Sequence, residues 1–416
     1  MSAIARIPMA QWMRGAAILI GAAILGWIAQ ASTISTVLGS RRLETTLSWW
    51  PAGSAGLAAA AANQLSVVPQ TPASLGDAQR LASRALERDP TNVVAARTLG
   101  LVYAQRGDHA ASDRLLHYAE ALSRRDLATQ LWFIEDRVQR NDINGALTHY
   151  DRALRTSPRA RDVLLPILVQ AAADPAISPP LTRLIAQRPP WWPKFLDKLL
   201  TESDSPDALV RTGLAVRLNP ADPDERVDLA GILNRLVRLG AFDQADALYR
   251  RFGPPPPSAG EFVRNGGFES DGGFGPFAWA LTDEPDLAGV RRSGDGSSGI
   301  GLALISSNGQ TGVLARQMLM MPPGSYRLTL RVGSTAAGDE SARPKLRIMC
   351  ASGAGHVIAD FRLPAAPSRG QPVASEFNVP TATCPAQWLV VQAGAGLRTQ
   401  SQSAMPWIDD VSIRAT

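Results

Sequence analysis

The sequence predicts a multidomain chain with an N-terminal transmembrane helix, an all-α helical-repeat solenoid and an all-β sandwich, in that order. Three observations carry this expectation. No charged residue lies between Arg14 and Arg41. Small residues recur at a fixed interval through the middle of the chain. After the proline run Pro254–Pro257 the apolar pattern changes from a helical to an alternating period.

The uncharged run is long enough to cross a bilayer, which takes about 20 predominantly apolar residues. Arg6 and Arg14, with no acid beside them, hold the amino end in the cytoplasm. Residues 1–40 are therefore expected to form a cytoplasmic tip and membrane anchor. A cleaved signal peptide fits the same residues, with Gly15 to Ile28 as its apolar core and Ala29-Gln30-Ala31 as a small-x-small cleavage pattern. Uncharged sequence continuing to Ser40 favours the anchor. Either reading carries the rest of the chain out of the cytoplasm, and the expected location is the inner membrane, single-pass, with the bulk in the periplasm.

Charge argues against nucleic acid as a partner. The net charge is +5, but from residue 261 onward 13 basic and 13 acidic residues cancel. Much of the excess flanks the apolar N-terminal run, so no folded region carries a basic stripe.

Residues 41–73 read as a linker rich in small residues, and 74–252 as helical repeats. The segments "DAQRLASRALERDP", "ASDRLLHYAEALSRR" and "NGALTHYDRALRTSP" align at an interval of 34 residues, placing Ala78, Ser112 and Ala146 in one column and Ala85, Ala119 and Ala153 in another. Pro90 and Pro158 close the first and third segments, and Leu99-Gly100 with Tyr103 supply the front helix of the second. These residues resemble the tetratricopeptide repeat, a 34-residue helix-turn-helix unit. The resemblance implies a solenoid that grips a protein partner. "DALVRTGLAVRLNP" and the segment after it continue the pattern, whereas "RDVLLPILVQ…WWPKFLDKLL" is helical but out of register. Trp191, Trp192 and Phe195 are expected to pack in the core, and His109, His117 and His149 to be surface or interhelical residues, lacking metal-ligand spacing.

Residues 253–260 form a stiff proline-rich linker, and 261–416 the β-domain. Eight strands are expected, among them "GIGLALIS", "SYRLTLRVG", "KLRIMC" and "WIDDVSIRA". The opening "NGGFE" ahead of "FAW", the central "PPGSYRLTLRV" and the closing "WIDDVSI" together resemble a carbohydrate-binding module of the galactose-binding-like jelly-roll type. That resemblance implies a jelly-roll sandwich that engages a glycan. It also implies a structural calcium ion held by Glu269, on an opening edge strand, and Asp409, which strict alternation points toward the core. The competing reading has either carboxylate accept backbone or arginine hydrogen bonds instead.

A sugar site needs an aromatic platform beside polar groups. Phe274, Phe277, Trp279, Trp388 and Trp407 are the aromatics on offer; core packing is the favoured reading for the three tryptophans, and Phe274 and Phe277, in a glycine-rich loop, are the better candidates for exposure. Cys350 and Cys384 are the two cysteines, compatible with one disulfide in an oxidising compartment or with two buried thiols. No nucleophile motif, phosphate loop or clustered metal-ligand set marks an enzyme. The expected function is a non-catalytic accessory factor in surface polysaccharide synthesis or export. A protein-only assembly scaffold and an envelope-glycan hydrolase are the alternatives.

Overall fold

The computed structural model describes residues 26–27, 30, 53–271, 273–293, 299–307, 309–336, 339–352, 355–381, 384–395 and 405–416. The anchor expectation lies outside the described residues apart from Gly26, Trp27 and Gln30. Among the described residues, no helix is long and apolar enough to cross a membrane. The chain divides into two compact units, Met1–Leu164 and Leu165–Thr416. The division therefore falls inside the helical region and not at the proline run.

The first unit contains three helical hairpins: α1 (Ser54–Ser66) with α2 (Pro72–Arg88), α3 (Val93–Gln105) with α4 (His109–Leu122), and α5 (Leu127–Gln139) with α6 (Ile143–Thr156). The stretch expected to be a linker is thus corrected in part, because 54–66 is the front helix of the first hairpin. Its alanines read as spacer, yet Ala58 and Ala61 are buried against the second helix and the one after it. All six positions of the 34-residue columns are buried. At Gly100 an added Cβ would stand 2.8 Å from Leu116 Cγ, so a glycine lets α3 and α4 close on each other.

The same interval governs the helix ends. Asn92 and Asp126 cap α3 and α5, and Asp108 and Asp142 cap α4 and α6, each accepting from a backbone N–H three residues on. Gly107 and Asn141, also 34 apart in sequence, take positive φ (80° and 56°) in the turn inside each hairpin. Capping and turn chemistry thus repeat with the packing.

Of His109, His117 and His149, the last is the buried one. Its Nδ1 lies 2.8 Å from Gln130 Oε1 and 3.5 Å from Glu120 Oε1, and its ring stacks on Phe133 at 4.6 Å. Burial holds its pKa below the ordinary 6.5, with Glu120 opposing that shift. Below about pH 6.5 the unfolded chain takes up a proton that the folded unit resists, so stability is full above that pH and falls as pH drops toward the folded pKa. His149→Gln is expected to flatten this loss, which is at most about 1.4 kcal/mol per pH unit. Urea unfolding of wild type and variant at pH 7.5 and 5.5 checks it.

Helix α7 (Pro158–Ala171) carries the division between the units. The second unit continues with α8 (Ser178–Ile185), α9 (Trp192–Glu202), α10 (Pro206–Val216), α11 (Pro223–Arg238) and α12 (Phe242–Phe252). Trp191, Trp192 and Phe195 are buried there as expected. Ser205 and Asp222 cap α10 and α11, each followed by proline at the first helical position.

Eleven strands follow among the described residues, folded as two antiparallel sheets packed as a sandwich. One sheet has the order β1-β5-β10-β7-β8 and the other β2-β3-β4-β11-β6-β9. The strands are β1 (Ala280–Leu281), β2 (Asp283–Glu284), β3 (Leu287–Ser293), β4 (Ile300–Ser306), β5 (Val313–Leu319), β6 (Gly324–Gly333), β7 (Lys345–Cys350), β8 (Val357–Arg362), β9 (Gln371–Val379), β10 (Gln387–Gln392) and β11 (Trp407–Ala415). The eight expected strands are β4 to β11. Leucine, isoleucine and valine from both sheets fill the space between them, including Leu302, Leu328, Ile348 and Leu389.

Two expectations about the chain ends of this domain are corrected. "NGGFE" is a turn and not an edge strand. In β11 the alternation breaks at a bulge between Asp409 and Ser412, where Asp410 takes a φ of 52°. Ile408, Val411 and Ile413 enter the core, so the parity of the strand changes after Asp409. Trp407 is buried away from that core, over Gly333 and Gly370, where added side chains would collide with its indole.

Candidate functional site

The segment leading into the sandwich is tied to β11 before it reaches the cavity it borders. Glu261 Oε1 accepts from the amides of Phe262 (3.0 Å), Val263 (2.9 Å) and Ile413 (2.9 Å), while Oε2 takes the Ser412 hydroxyl. One carboxylate therefore satisfies three backbone donors at the junction of two segments. Glu261→Ala is expected to lower the stability of this unit by about 2–3 kcal/mol, the scale of hydrogen bonds to a charged group. Chemical denaturation checks it.

The motif Asn265–Glu269 folds for reasons local to each residue. Asn265 takes a φ of 50° and closes the loop with both ends of its amide: Nδ2 donates to Ser270 O (2.7 Å) and Oδ1 accepts from Ser270 N (3.2 Å). Gly266 lies against β11, with its carbonyl accepting from Val411 N at 3.0 Å, and a Cβ there would overlap the Val411 carbonyl. Phe268 is fully buried in the core. Glu269 Oε1 accepts from Ile300 N at 2.8 Å.

This turn forms one wall of a cavity of about 450 Å³. Its other walls are Tyr249 of α12, the proline run, Trp279 and Arg291. Arg264 is held by its main chain: its N–H donates to Gln317 Oε1 (2.8 Å) and its carbonyl accepts from Gln317 Nε2 (2.9 Å), where Gln317 is a buried residue of β5. The guanidinium then stacks over Tyr249 at 5.0 Å and donates to Pro255 O at 3.3 Å. Burial pushes its pKa below the usual value, opposed by Tyr249 and by Asp246, yet a guanidinium stays charged at physiological pH. Asp246 is itself paired with Arg250 at 2.5 Å. Arg291 pairs with Asp271 and donates to Ser270 O at 3.0 Å. Trp279 is half-buried, its indole N–H donating to Asn265 O at 3.2 Å and its ring packed on Phe268 at 5.2 Å. An aromatic wall beside amide, carboxylate and guanidinium groups is chemically suited to a polar ring with apolar faces.

The structure brings Trp279 and Phe274 to this cavity and leaves the other aromatic candidates elsewhere. The expectation that Phe274 and Phe277 are exposed is corrected. They are 6% and 2% exposed, with ring centroids 5.0 and 5.1 Å from Tyr249. Burial against a helix, and not solvent, explains two phenylalanines in a glycine-rich loop. Trp388 lies on the five-stranded sheet under the Arg316 guanidinium (4.9 Å) and borders a separate cavity of about 650 Å³ with Asn234, Val237 and Phe242. Tyr249, Arg264, Asn265 and Arg291 were not among the expected residues. Asn265 opens the "NGGFE" motif and Arg264 adjoins it, so both were within reach of it, whereas the place of Tyr249 depends on tertiary packing.

Glu269, Asp409 and Asp410 all border Gly267: a Cβ there would stand 3.7 Å from Glu269 Cγ and 3.8 Å from both Asp409 Oδ1 and Asp410 Oδ1. Asp409 is 1% exposed and its Oδ1 accepts from Asp410 N at 2.7 Å. Among the described residues, no three histidine, cysteine or acidic side chains are grouped to hold a metal ion. Cys350 and Cys384 form a disulfide, with Cα atoms 5.2 Å apart.

No family model matches the chain, and no curated protein matches it. Among solved structures, 92 chains match. One is a family 4 carbohydrate-binding module at 13% identity and TM-score 0.27, covering 37% of this chain and 99% of its own. Another is the CBM22-1 xylan-binding domain from Paenibacillus barcinonensis Xyn10C, at 13% identity and TM-score 0.26, covering 38% and 97%. A third is YrrB, a TPR protein with an unusual peptide-binding site, at 13% identity and TM-score 0.26, covering 51% and 100%.

Proposed function

We propose that the chain is a non-catalytic, membrane-anchored envelope scaffold whose repeats bind a protein partner and whose sandwich binds a glycan, in the synthesis or export of a surface polysaccharide. The observation that carries the glycan reading is the cavity beside Trp279, where an aromatic ring stands next to Asn265, Asp271 and two arginines. Pyranose rings offer apolar C–H faces to such a ring and hydroxyls to such polar groups. The three hairpins of the first unit support the protein-partner reading, since repeats of this kind stack into extended binding surfaces. The uncharged N-terminal run and the single disulfide support a location beyond the cytoplasmic face of the membrane.

Retention of the full chain on immobilised bacterial polysaccharides tests the glycan reading. Retention that Trp279→Ala removes is expected, and a folded chain that passes every polysaccharide would leave the scaffold as a protein-only device. Calcium at Glu269 and Asp409 belongs to the same proposal, with the two carboxylates supplemented by backbone carbonyls. Removing calcium with a chelator is then expected to lower the melting temperature of the sandwich. A melting curve unmoved by chelation would assign those carboxylates to backbone hydrogen bonding alone.

A further inference from the structure

The unusual member of the cavity wall is Arg264. Among the described residues no carboxylate pairs with its guanidinium, which has only the Pro255 carbonyl and the Tyr249 ring as partners. The neighbouring acids are engaged elsewhere: Asp246 with Arg250, and Asp271 with Arg291. Two guanidiniums therefore border the cavity against the one carboxylate of Asp271. A half-buried cation without a paired carboxylate is costly, Asp246 offsets only part of that cost without pairing, and a ligand anion recovers more of it than a neutral group does. A planar guanidinium also matches a carboxylate through two parallel N–H bonds, a geometry that a hydroxyl lacks.

The geometry points to an acidic sugar as the occupant of this cavity: Arg264 pairs with the carboxylate of a uronic acid unit while Trp279 takes the face of its ring. Pairing by Arg264 is prearranged, because Gln317 clamps its main chain and Tyr249 supports its side chain. Asp271 stays bound to Arg291 and is thereby kept from opposing the anion. This inference rests on the glycan-binding reading above, and it adds the charge of the ligand and the residue that reads it.

The test uses the full chain and tetrasaccharides of galacturonate, mannuronate and hyaluronan, each beside its carboxyl-reduced neutral form, with binding followed by calorimetry. At least one acidic form is expected to bind about tenfold or more tighter than its reduced form, the scale of one good charge pair. Arg264→Gln is expected to remove that preference, and Arg327→Gln, an exposed arginine of β6 that pairs with Glu376, to keep it. For wild type, raising the salt concentration is expected to shrink the preference, a readout that needs no variant to fold. Equal binding of acidic and reduced forms, a preference that survives Arg264→Gln, or one that ignores salt would overturn the inference while leaving glycan binding intact. Folded protein that binds none of these sugars and no polysaccharide would remove both readings.

Discussion

Tyr249→Ala is expected to destabilise the unit Leu165–Thr416 by about 3–5 kcal/mol, the range for deleting a large buried aromatic ring. Tyr249 is fully buried, and three things rest on it: the Phe274 ring, the Phe277 ring and the Arg264 guanidinium. Alanine would leave a hole under all three, and all three belong to the segment between the proline run and β1 that enters the sandwich. The loss should therefore exceed that of a ring packed on one side only. Tyr249→Phe keeps the packing and removes only a buried hydroxyl that meets no close hydrogen-bond partner among the described residues, so it is expected to fall within about 1 kcal/mol of wild type. Thermal and urea unfolding of residues 165–416 checks both. A fragment of residues 261–416 lacks Tyr249 and is expected to melt lower than residues 165–416 and to aggregate through its uncovered phenylalanines.

Loss of the disulfide is the second large effect. Cys350 ends β7 and Cys384 precedes β10, at a sequence separation of 34, so the bridge closes the excursion through β8 and β9. For a loop of that length the chain-entropy relation gives about 3–4 kcal/mol of stabilisation through the unfolded state. Both sulfurs sit in the interior, so the replacement is best made with small apolar residues. Replacing both cysteines by alanine, or unfolding under reducing conditions, is expected to lower the denaturation midpoint of the sandwich accordingly. The α1–α6 hairpins contain no cysteine and should unfold at the same midpoint with or without reductant.

The helical half was legible because its signals repeat. A small residue at Ala78, Ser112 and Ala146, and again at Ala85, Ala119 and Ala153, is what a close helix crossing demands, and all six are buried. The capping columns Asn92/Asp126 and Asp108/Asp142 carried the same interval and would have sharpened the helix starts. Helix α1 escaped because a run of five alanines among glycine and polar residues has no clear apolar stripe to distinguish it from a spacer. Strands β1 to β3 escaped because they are short or, in β3, carry a glycine and two adjacent arginines that read as loop. Gly289 in β3 instead lets that strand approach the Leu314 carbonyl of the opposite sheet.

The site was less legible, for a physical reason. "NGGFE" earned attention as a family-like motif, and each residue turned out to hold backbone: Asn265 closes a loop, Gly266 admits β11, Phe268 fills the core and Glu269 takes an amide. The cavity beside it is assembled from residues far apart in sequence, Tyr249, Arg264, Trp279 and Arg291. Phe274 and Phe277 looked exposed because glycine surrounds them, and sequence contains no sign that helix α12 covers them. The bulge at Asp410 likewise breaks an alternation that the residue types alone would continue.

The most direct test of the account is calorimetric titration of residues 165–416 with a polysaccharide retained by the full chain, for wild type and Trp279→Ala. The account predicts saturable binding by the wild-type unit, at least about tenfold weaker in the variant, since a stacked aromatic platform contributes on the order of 1 kcal/mol or more. Equal binding by the two proteins, with both shown to be folded, would contradict it and move the glycan to another face of the chain.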